Sequence, residues 1–460
     1  MKNKTQDSIN RRHFLRSIGG VALSSSALYA TMARLQMAQA LVVPGDDYKA
    51  LVCVFLLGGN DAFNMIVPSS TTEHEHYLTT RKTLAIDKST LLPITPTTNS
   101  GVSYGLHPSM TGVKKLFDNK KLSLLANVGS LIQPTSKTAY NSRSVALPPQ
   151  LFSHNDQQTF MQSLQSTSQR SGWMGRAAEL MSTANTNQNL SMNISLSGSN
   201  LWQTAGDIIP YSVDQNGVKD LGYLKKNSTD DRERLRAQTY QQLLSQSHNN
   251  IFQREFSRTQ QRAWNLADEV KLAIETQPAI TTVFPANNNL ATSLKMVANV
   301  IAARNSLKMT RQTFFIGIGD YDTHGDQLNR HIKLLQQLSE GLNAFYDATV
   351  ELGVADKVTT FTASDFGRTL TSNGDGTDHG WGSHQMIMGG AVAGGDIIGT
   401  MPSLQIGSND DIGEGRVIPT TSMDQYAATL ANWYGVPGNN FTDIFPNLIN
   451  FSAPTLPLFV

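Results

Sequence analysis

Short apolar runs, each followed by a polar loop, constrain the fold of this chain more than any other feature. Four such runs lie at 49–57, 121–128, 312–318 and 358–362. Nearly continuous apolar runs of this length are typical of strands that are buried on both faces, as in a parallel sheet. Segments with helical spacing separate the runs, so the pattern predicts an α/β fold with a mainly parallel β-sheet flanked by helices.

Acids and histidines cluster after these apolar runs. The carboxyl ends of parallel strands meet at one edge of the sheet, where open α/β sheets bind ligands. Oxygen and imidazole ligands suit zinc, manganese, iron, calcium or magnesium, so we expect a divalent metal at this edge. The candidate ligands are Asp61 after the first run, Asp322 and His324 after the third, and Asp365, Asp378, His379 and His384 after the fourth.

The spacing within the third cluster is informative. Asp322 and His324 are two residues apart, so in extended backbone their side chains point to the same side and can share one ion. Structural roles stay open for each cluster. Asp61 also fits an Asx-turn, and an acid of the third cluster also fits the cap of a predicted helix at 327–352.

The second run leads, through a loop rich in Ser, Thr and Pro, to Ser153 and His154. Both lie at the start of a predicted helix. The N-terminus of a helix favours an anionic group and the ionisation of a hydroxyl, so Ser153 is the candidate nucleophile, with His154 beside it. Serine is also a preferred N-cap, and this structural reading remains an alternative.

Cysteine chemistry is nearly absent from this sequence. Cys53, the only cysteine, lies within the first apolar run. It cannot form an internal disulfide, and one thiol excludes thiolate ligation as the main mode of metal binding. We expect Cys53 to be a small core residue.

The first forty residues have the pattern of an export signal. Arg11 and Arg12 precede a mildly apolar segment at 18–33, and 38–40 read Ala-Gln-Ala. Charge, apolar run and small-residue cleavage site follow in the order of a twin-arginine signal peptide at 1–40. We therefore expect the twin-arginine translocation machinery as a partner and a periplasmic or secreted location. A basic amphipathic helix on a membrane surface is the alternative.

The charge of the remaining chain limits its partners. Six of the 37 Lys and Arg residues and one of the 36 Asp and Glu residues lie in 1–40. The mature chain thus has 31 basic and 35 acidic residues and a formal charge of −4, which disfavours nucleic acid as a partner. No later apolar run is long enough to span a bilayer. Without a linker or repeat, we expect a single domain at 41–460, with a helical insertion near 229–277.

Four motifs carry a resemblance to a known family. They read GGNDAFN at 58–64, YDTHGDQ at 321–327, SDFGRT at 364–369 and GTDHGWG at 376–382. They resemble the domain of unknown function 1501 family of exported bacterial proteins, and the resemblance covers essentially the whole mature chain. That family is distantly similar to the alkaline phosphatase and sulfatase superfamily. The resemblance implies an alkaline phosphatase-like sheet with metal ligands at strand ends.

The resemblance also suggests individual roles. Asp61 matches the metal carboxylate after the first strand of that superfamily. Asp322 and His324 resemble its Asp-and-His segment, although Asp320 has the spacing to His324 that is common there. Asp365 resembles the acid of a strand-end Asp-His pair, with Phe366 in place of the histidine. The loop histidines, His379 or His384, would then complete the site.

These patterns together predict an exported, metal-dependent hydrolase of phosphate or sulfate esters. Ser153 would attack, and Arg368 would help to hold a small anionic ester. The sequence shows no Cys/Ser-x-Pro-x-Arg segment of the sulfatase type. The rival prediction is a non-catalytic exported binding or assembly protein that keeps the fold and a structural metal.

Overall fold

The computed structural model describes residues 47–98, 101–165, 170–218, 224 and 228–460. The predicted signal peptide at 1–40 lies outside the described residues. The single-domain organisation stays a prediction.

The strands of the described residues form one large sheet and two small ones. In chain order they are β1 (Lys49–Leu56), β2 (Ile66–Pro68), β3 (Leu92–Ile94), β4 (Tyr104–Leu106), β5 (Leu122–Gly129), β6 (Asn193–Ser195), β7 (Tyr211–Ser212), β8 (Arg311–Ile318), β9 (Val358–Ser364), β10 (Arg368–Ser372), β11 (Thr377–His379), β12 (Ser383–Gly389), β13 (Ile397–Ile398) and β14 (Thr421–Ser422).

The α-helices lie between these strands and after them. They are α1 (Ala62–Met65), α2 (Thr71–Arg81), α3 (Thr111–Asp118), α4 (Lys137–Ser142), α5 (His154–Ser163), α6 (Trp173–Leu180), α7 (Asp231–Leu244), α8 (Ile251–Glu275), α9 (Asn289–Ala302), α10 (Gln327–Glu351), α11 (Met423–Tyr434) and α12 (Phe441–Ile444). Short 3-10 helices lie at Lys82–Leu84, Lys88–Thr90, Ala355–Lys357, Gly438–Asn440 and Pro446–Asn450.

The large sheet confirms the predicted fold class. Its order is β13-β5-β12-β9-β1-β8-β6-β7, with β14 also paired to β5. The predicted first strand lies at the centre, parallel to both β8 and β9, and Cys53 is buried in it. Helices α9 and α11 pack against β8 and β1, so the sheet is mainly parallel and flanked by helices.

One strand departs from the parallel pattern. The apolar run at 386–388 belongs to β12, which is antiparallel to both β5 and β9. Its direction follows from its connection, because the β10–β11 hairpin begins at the edge where β9 ends. A strand that returns into the sheet from that edge must run the opposite way.

The register of the central strands positions the polar loops. Leu56, near the end of β1, is opposite both Ile318 of β8 and Ser364 of β9. The three strands therefore end at the same level. The loops that follow them, which begin near Gly58, Gly319 and Asp365, lie side by side at one edge.

The predicted helical segment at 229–277 consists of α7 and α8, with a break at 245–250. One other detail differs from expectation. The predicted loop rich in Ser, Thr and Pro that precedes Ser153 contains α4. In the part of the chain that is described, no helix is long and apolar enough to cross a membrane.

Asp424, in the first turn of α11, is fully buried. Its carboxylate accepts hydrogen bonds from Ser422 Oγ and Asn447 Nδ2, both at 3.2 Å. Burial outweighs these bonds and raises the pKa of Asp424 to about 7. The folded state therefore holds this proton over a pH range where the unfolded chain has released it.

This burial predicts a pH-dependent free energy of unfolding. A raised folded-state pKa stabilises the fold at low pH, and that contribution is lost between about pH 4 and pH 7, by on the order of 4 kcal/mol. Urea unfolding across this range should show that Asp424→Asn flattens the decline. Asp443→Asn, at an exposed position of α12, is the control and should keep the wild-type slope. An unchanged slope in Asp424→Asn would contradict the assignment.

Candidate metal centre

The candidate metal centre lies where β1, β8 and β9 end. Asp322 follows β8, Asp365 follows β9, His379 ends β11, and His154 is the first residue of α5. The β10–β11 hairpin pairs Arg368 with His379. Elements that are far apart in sequence thus bring these side chains to one place.

Glycine allows the loops to approach one another. Gly58 has a φ of +114°, and a Cβ there would lie 2.4 Å from the backbone nitrogen of Asp322. A Cβ on Gly376 would lie 2.3 Å from the carbonyl oxygen of Thr323. Side chains at these positions would push apart the segments that carry the candidate ligands, so the motifs need glycine there.

Three imidazoles converge on one carboxylate. His324 Nε2 and His379 Nε2 lie 3.1 Å and 3.4 Å from Asp322 Oδ1, and His154 Nε2 lies 3.5 Å from Asp322 Oδ2. The Nε2 atoms of His324 and His379 are 2.9 Å apart. The ligand atoms of His154, Asp322 and His379 all lie within 4.8 Å of one another.

The other ring nitrogens determine which tautomers are present. His379 Nδ1 lies 2.8 Å from the carbonyl oxygen of Phe152, which can only accept, so Nδ1 carries the proton. In the same way His154 Nδ1 is 2.8 Å from Asp365 Oδ2, and His324 Nδ1 is 3.0 Å from Asp378 Oδ1. In the neutral rings every Nε2 therefore presents a lone pair toward Asp322.

Such an arrangement needs a cation. Three imidazole lone pairs and a carboxylate repel one another at these distances unless a proton or a metal ion lies between them. Histidines that bind metal through one nitrogen commonly donate the other N–H to a carboxylate or a carbonyl, as all three do here. His154 Nε2 is buried and makes no hydrogen bond with any described residue. The donor set therefore fits a divalent metal.

The charges around the site keep Asp322 ionised. Burial alone would raise the pKa of Asp322, but the hydrogen bond and charge of Arg368, together with His324 and His154, outweigh it and lower the pKa. Burial also lowers the pKa of His379, which favours its neutral ring. The side chains of Asp322 and His324 are 42% and 45% exposed, so the centre is open to solvent.

Arg368 serves the site from inside the protein. Its side chain is fully buried, and Nη1 donates to Asp322 Oδ1 at 2.6 Å and to the Gly58 carbonyl at 3.1 Å. Nε and Nη2 donate to the hydroxyl and carbonyl oxygens of Thr377. Arg368 therefore fixes Asp322 and joins the loop after β1 to β11, whereas the sequence pattern had suggested contact with substrate.

Phe366 occupies the place where the resemblance would put a histidine. Its ring centroid lies 4.8 Å from that of His154 and 4.7 Å from that of His379. The aromatic ring thus packs against two of the three imidazoles. Phe366, whose ring cannot bind a metal, therefore restricts the orientation of His154 and His379.

Asp365 and Asp378 contact two of the histidines that converge on Asp322. Asp365 is buried, and its Oδ2 accepts from His154 Nδ1 and Gln158 Nε2 at 2.8 Å and from Gly58 N at 3.2 Å. Asp378 contacts His324 and also accepts from Asn373 Nδ2 at 3.1 Å. The structure therefore shows both acids orienting histidines, a role that separations along the sequence do not reveal.

Asp61 and His384 are not among the converging groups. Asp61 is fully buried, and its Oδ2 accepts from Arg81 Nη2 and Gln327 Nε2. His384 lies within β12, where its Nδ1 accepts from the backbone N–H of Asn127 at 3.0 Å. Both side chains are buried, and each has hydrogen-bond partners outside the convergence.

Ser153 is the N-cap residue of α5, as the sequence predicts. Its hydroxyl donates to Asp156 Oδ2 at 2.6 Å, within the same helix turn. Asp320 has its carbonyl oxygen bonded to Arg330 Nη2 at 3.0 Å, and it is Asp322 whose carboxylate meets His324. Of these two acids, between which the sequence left the choice open, Asp322 is the one whose carboxylate contacts His324.

Gln327, the first residue of α10, is a participant that sequence reasoning missed. Its Oε1 accepts from Thr323 Oγ1 at 3.1 Å and Thr377 Oγ1 at 2.6 Å, and its Nε2 donates to Asp61. One amide thus ties both ligand-bearing loops to the buried Asp61. The glutamine ends the YDTHGDQ motif, which was the only signal available.

A solved structure is similar to this chain over most of its length. The soluble domain of lipooligosaccharide phosphoethanolamine transferase A from Neisseria meningitidis is 11% identical, with 85% of this chain and 89% of that chain covered and a TM-score of 0.28. A TM-score this low supports no inference about the site or the activity. No curated protein matches the chain.

The sequence family described as proteins of unknown function (DUF1501) matches residues 48–444, which span all four motifs. The resemblance predicted from those motifs is therefore confirmed, and this chain belongs to the DUF1501 family.

Proposed function

We propose that this chain is an exported, metal-dependent hydrolase of phosphate or sulfate esters. The observation that carries the proposal is the convergence of three imidazole Nε2 atoms on Asp322, with each Nδ1 held by a carbonyl or a carboxylate. Without a cation this arrangement is unfavourable, because the Nε2 lone pairs of the three histidines repel one another and the carboxylate.

His154, His324 and His379 would bind the metal through Nε2, and Asp322 would bind it through its carboxylate. Three nitrogens and one oxygen suit zinc, manganese or iron better than magnesium or calcium, which prefer oxygen ligands. When bound, the ion would supply Lewis acidity and lower the pKa of a water molecule. The exposed side of Asp322 and His324 leaves room for that water and for substrate.

The surrounding residues would maintain this geometry. Asp365 and Asp378 hold the proton on Nδ1 of His154 and His324, and Arg368 fixes Asp322. Ser153 stays our candidate for the attacking group, with Asp156 Oδ2 at 2.6 Å as the acceptor of its proton. Preorganised partners of this kind are what a hydrolytic site requires.

Export is part of the proposal. The twin-arginine pattern at Arg11 and Arg12 supports transport through the twin-arginine machinery to the periplasm or beyond. Cell fractionation tests this step: replacement of both arginines by lysine should retain the protein in the cytoplasm. Unchanged export of that variant would contradict the proposed route.

A second candidate function is favoured by one observation. Arg368 is fully buried and all three of its guanidinium nitrogens donate within the chain, so it is not available to hold an anionic ester. This favours the alternative of a non-catalytic exported binding or assembly protein that keeps a structural metal.

An activity screen separates the two candidates. Zinc- and manganese-loaded protein would be assayed with p-nitrophenyl phosphate, bis(p-nitrophenyl) phosphate and p-nitrophenyl sulfate. We expect turnover that disappears in Asp322→Asn and persists in Asp326→Asn, an exposed acid bonded to Asn329. No turnover by metal-loaded protein, with a loss of thermal stability on chelation, would support the non-catalytic candidate.

The carboxylates behind the histidines should also matter for metal binding. Asp365→Asn removes the charge that holds His154, and we expect it to weaken zinc affinity about 10- to 100-fold. Zinc competition against a chromophoric chelator measures the effect, with Asp326→Asn as the matched control. Wild-type affinity in Asp365→Asn would show that His154 binds no metal.

A further inference from the structure

A second cavity lies apart from the candidate metal centre. It has a volume of about 330 Å³, is partly open to solvent and lies where α1, β2, β4 and β12 meet the segment at 401–404. The four residues proposed to bind the metal, His154, Asp322, His324 and His379, do not border it. A volume of this size suits a small organic ligand. Its walls combine polar and apolar surface, and the apolar side chains among them are Phe63, Ile66, Tyr104, Met401, Pro402 and Leu404.

His384 contributes a hydrogen-bond donor to this wall. The backbone N–H of Asn127 donates to Nδ1 at 3.0 Å, so Nδ1 is the acceptor and the neutral ring carries its proton on Nε2. Burial lowers the pKa of His384 to about 4, which keeps the ring neutral at physiological pH. Nε2 is buried and has no hydrogen-bond partner among the described residues. An unpaired buried donor is costly, so a ligand that accepts from it would remove that cost.

The charges that border the cavity have one sign. Glu73 and Asp410 line it and are partly exposed, and neither Lys nor Arg is among its described lining residues. Glu73 lies close enough to Tyr104 for its charge to add to burial in raising the pKa of that phenol to about 12. Two carboxylates beside aromatic rings attract a cation and repel an anion.

We propose that this cavity binds a small organic amine whose apolar body carries a hydrogen-bond acceptor. The ammonium group would lie near Glu73 and Asp410, and the acceptor would reach Nε2 of His384. The apolar side chains of the walls would contact the body of the ligand. The site is independent of the proposed hydrolase activity, because its residues do not include the four residues proposed to bind the metal.

Three probes separate the contacts by isothermal titration calorimetry with the mature chain. 4-Methoxyphenethylamine has both the charge and the acceptor, phenethylamine lacks the acceptor, and 4-methoxyphenylacetate reverses the charge. We expect the methoxy amine to bind about 10-fold more tightly than phenethylamine, as one buried hydrogen bond allows. The carboxylate should not bind measurably.

Two variants assign the contacts to residues. His384→Phe should abolish the difference between the two amines, and Glu73→Gln should weaken both. Glu75→Gln, an exposed acid on α2 outside the cavity, is the matched control and should leave both affinities unchanged. If His384→Phe does not fold, Glu73→Gln and the probe series still decide the question.

Three outcomes would overturn the proposal. The first is a lack of binding by either amine, and the second is binding of the carboxylate that matches or exceeds that of the amines. The third is amine binding that Glu73→Gln leaves unchanged. Loss of ester hydrolysis without loss of amine binding would count only against the proposed function, because the two sites share no residue.

Discussion

Asp322→Asn should weaken zinc binding by more than about 100-fold, beyond the effect expected for a residue that only orients a ligand. Asp322 is the carboxylate on which the imidazoles of His154, His324 and His379 converge. Asparagine keeps an oxygen that can accept from Arg368, so the buried guanidinium retains a partner and the fold is preserved. The loss should therefore appear in metal affinity, with little change in the stability of the metal-free protein.

The measurement is zinc competition on metal-free protein, with urea unfolding of the same samples as the check on folding. Asp326→Asn controls for a change of charge on the same loop. If the zinc affinity of Asp322→Asn stays within a factor of about 10 of the wild-type affinity, Asp322 does not bind the metal. Loss of a residue that only orients a ligand already weakens metal affinity by about 10-fold or more.

Arg81→Met should lower the free energy of unfolding by about 3–5 kcal/mol, the usual cost of leaving one charge of a buried ion pair alone. Arg81 and Asp61 are both fully buried and bonded to each other. Arg81 also donates through Nε to Asn64 Oδ1 at 3.1 Å and through Nη1 to the Thr369 carbonyl at 3.0 Å. Its removal would strand the Asp61 carboxylate, whose Oδ1 already lacks a partner among the described residues.

A double-mutant cycle shows whether the pair acts as a unit. Asp61→Asn combined with Arg81→Met should cost less than the sum of the two single changes, because no charge remains stranded. Arg258→Met, which breaks an exposed pair with Glu255 on α8, is the control and should cost less than about 1 kcal/mol. If Arg81→Met has near-normal stability but loses zinc binding, Asp61 is part of the metal site.

The fold was largely accessible from the sequence because its signals are local. The continuous apolar runs of β1, β8 and β9 indicate buried strands. The two-residue spacing of Asp322 and His324 indicated that their side chains lie on the same side, and the two side chains are in contact. The direction of β12 was not accessible in the same way. It depends on the path of the β10–β11 hairpin, which no run of residues encodes by itself.

The roles of the acids depend on partners that are distant in sequence. Asp61 follows a strand as a ligand would, but its partner Arg81 lies one helix later. Asp365 contacts the converging imidazoles through His154, 211 positions away. His384 was read as part of a loop, yet it lies within β12 and borders a different cavity. Residue type and spacing indicated that acids and histidines would gather at one edge of the sheet, and the packing of loops decided which atoms meet.

The most direct test of the central claim is the location of bound metal. Crystals of the mature protein grown with zinc would be measured on both sides of the zinc absorption edge. We predict an anomalous peak about 2.0–2.2 Å from Nε2 of His154, His324 and His379 and from a carboxylate oxygen of Asp322. A zinc-saturated crystal without a peak at this point, or with its main peak beside Asp61 or His384, would contradict the account.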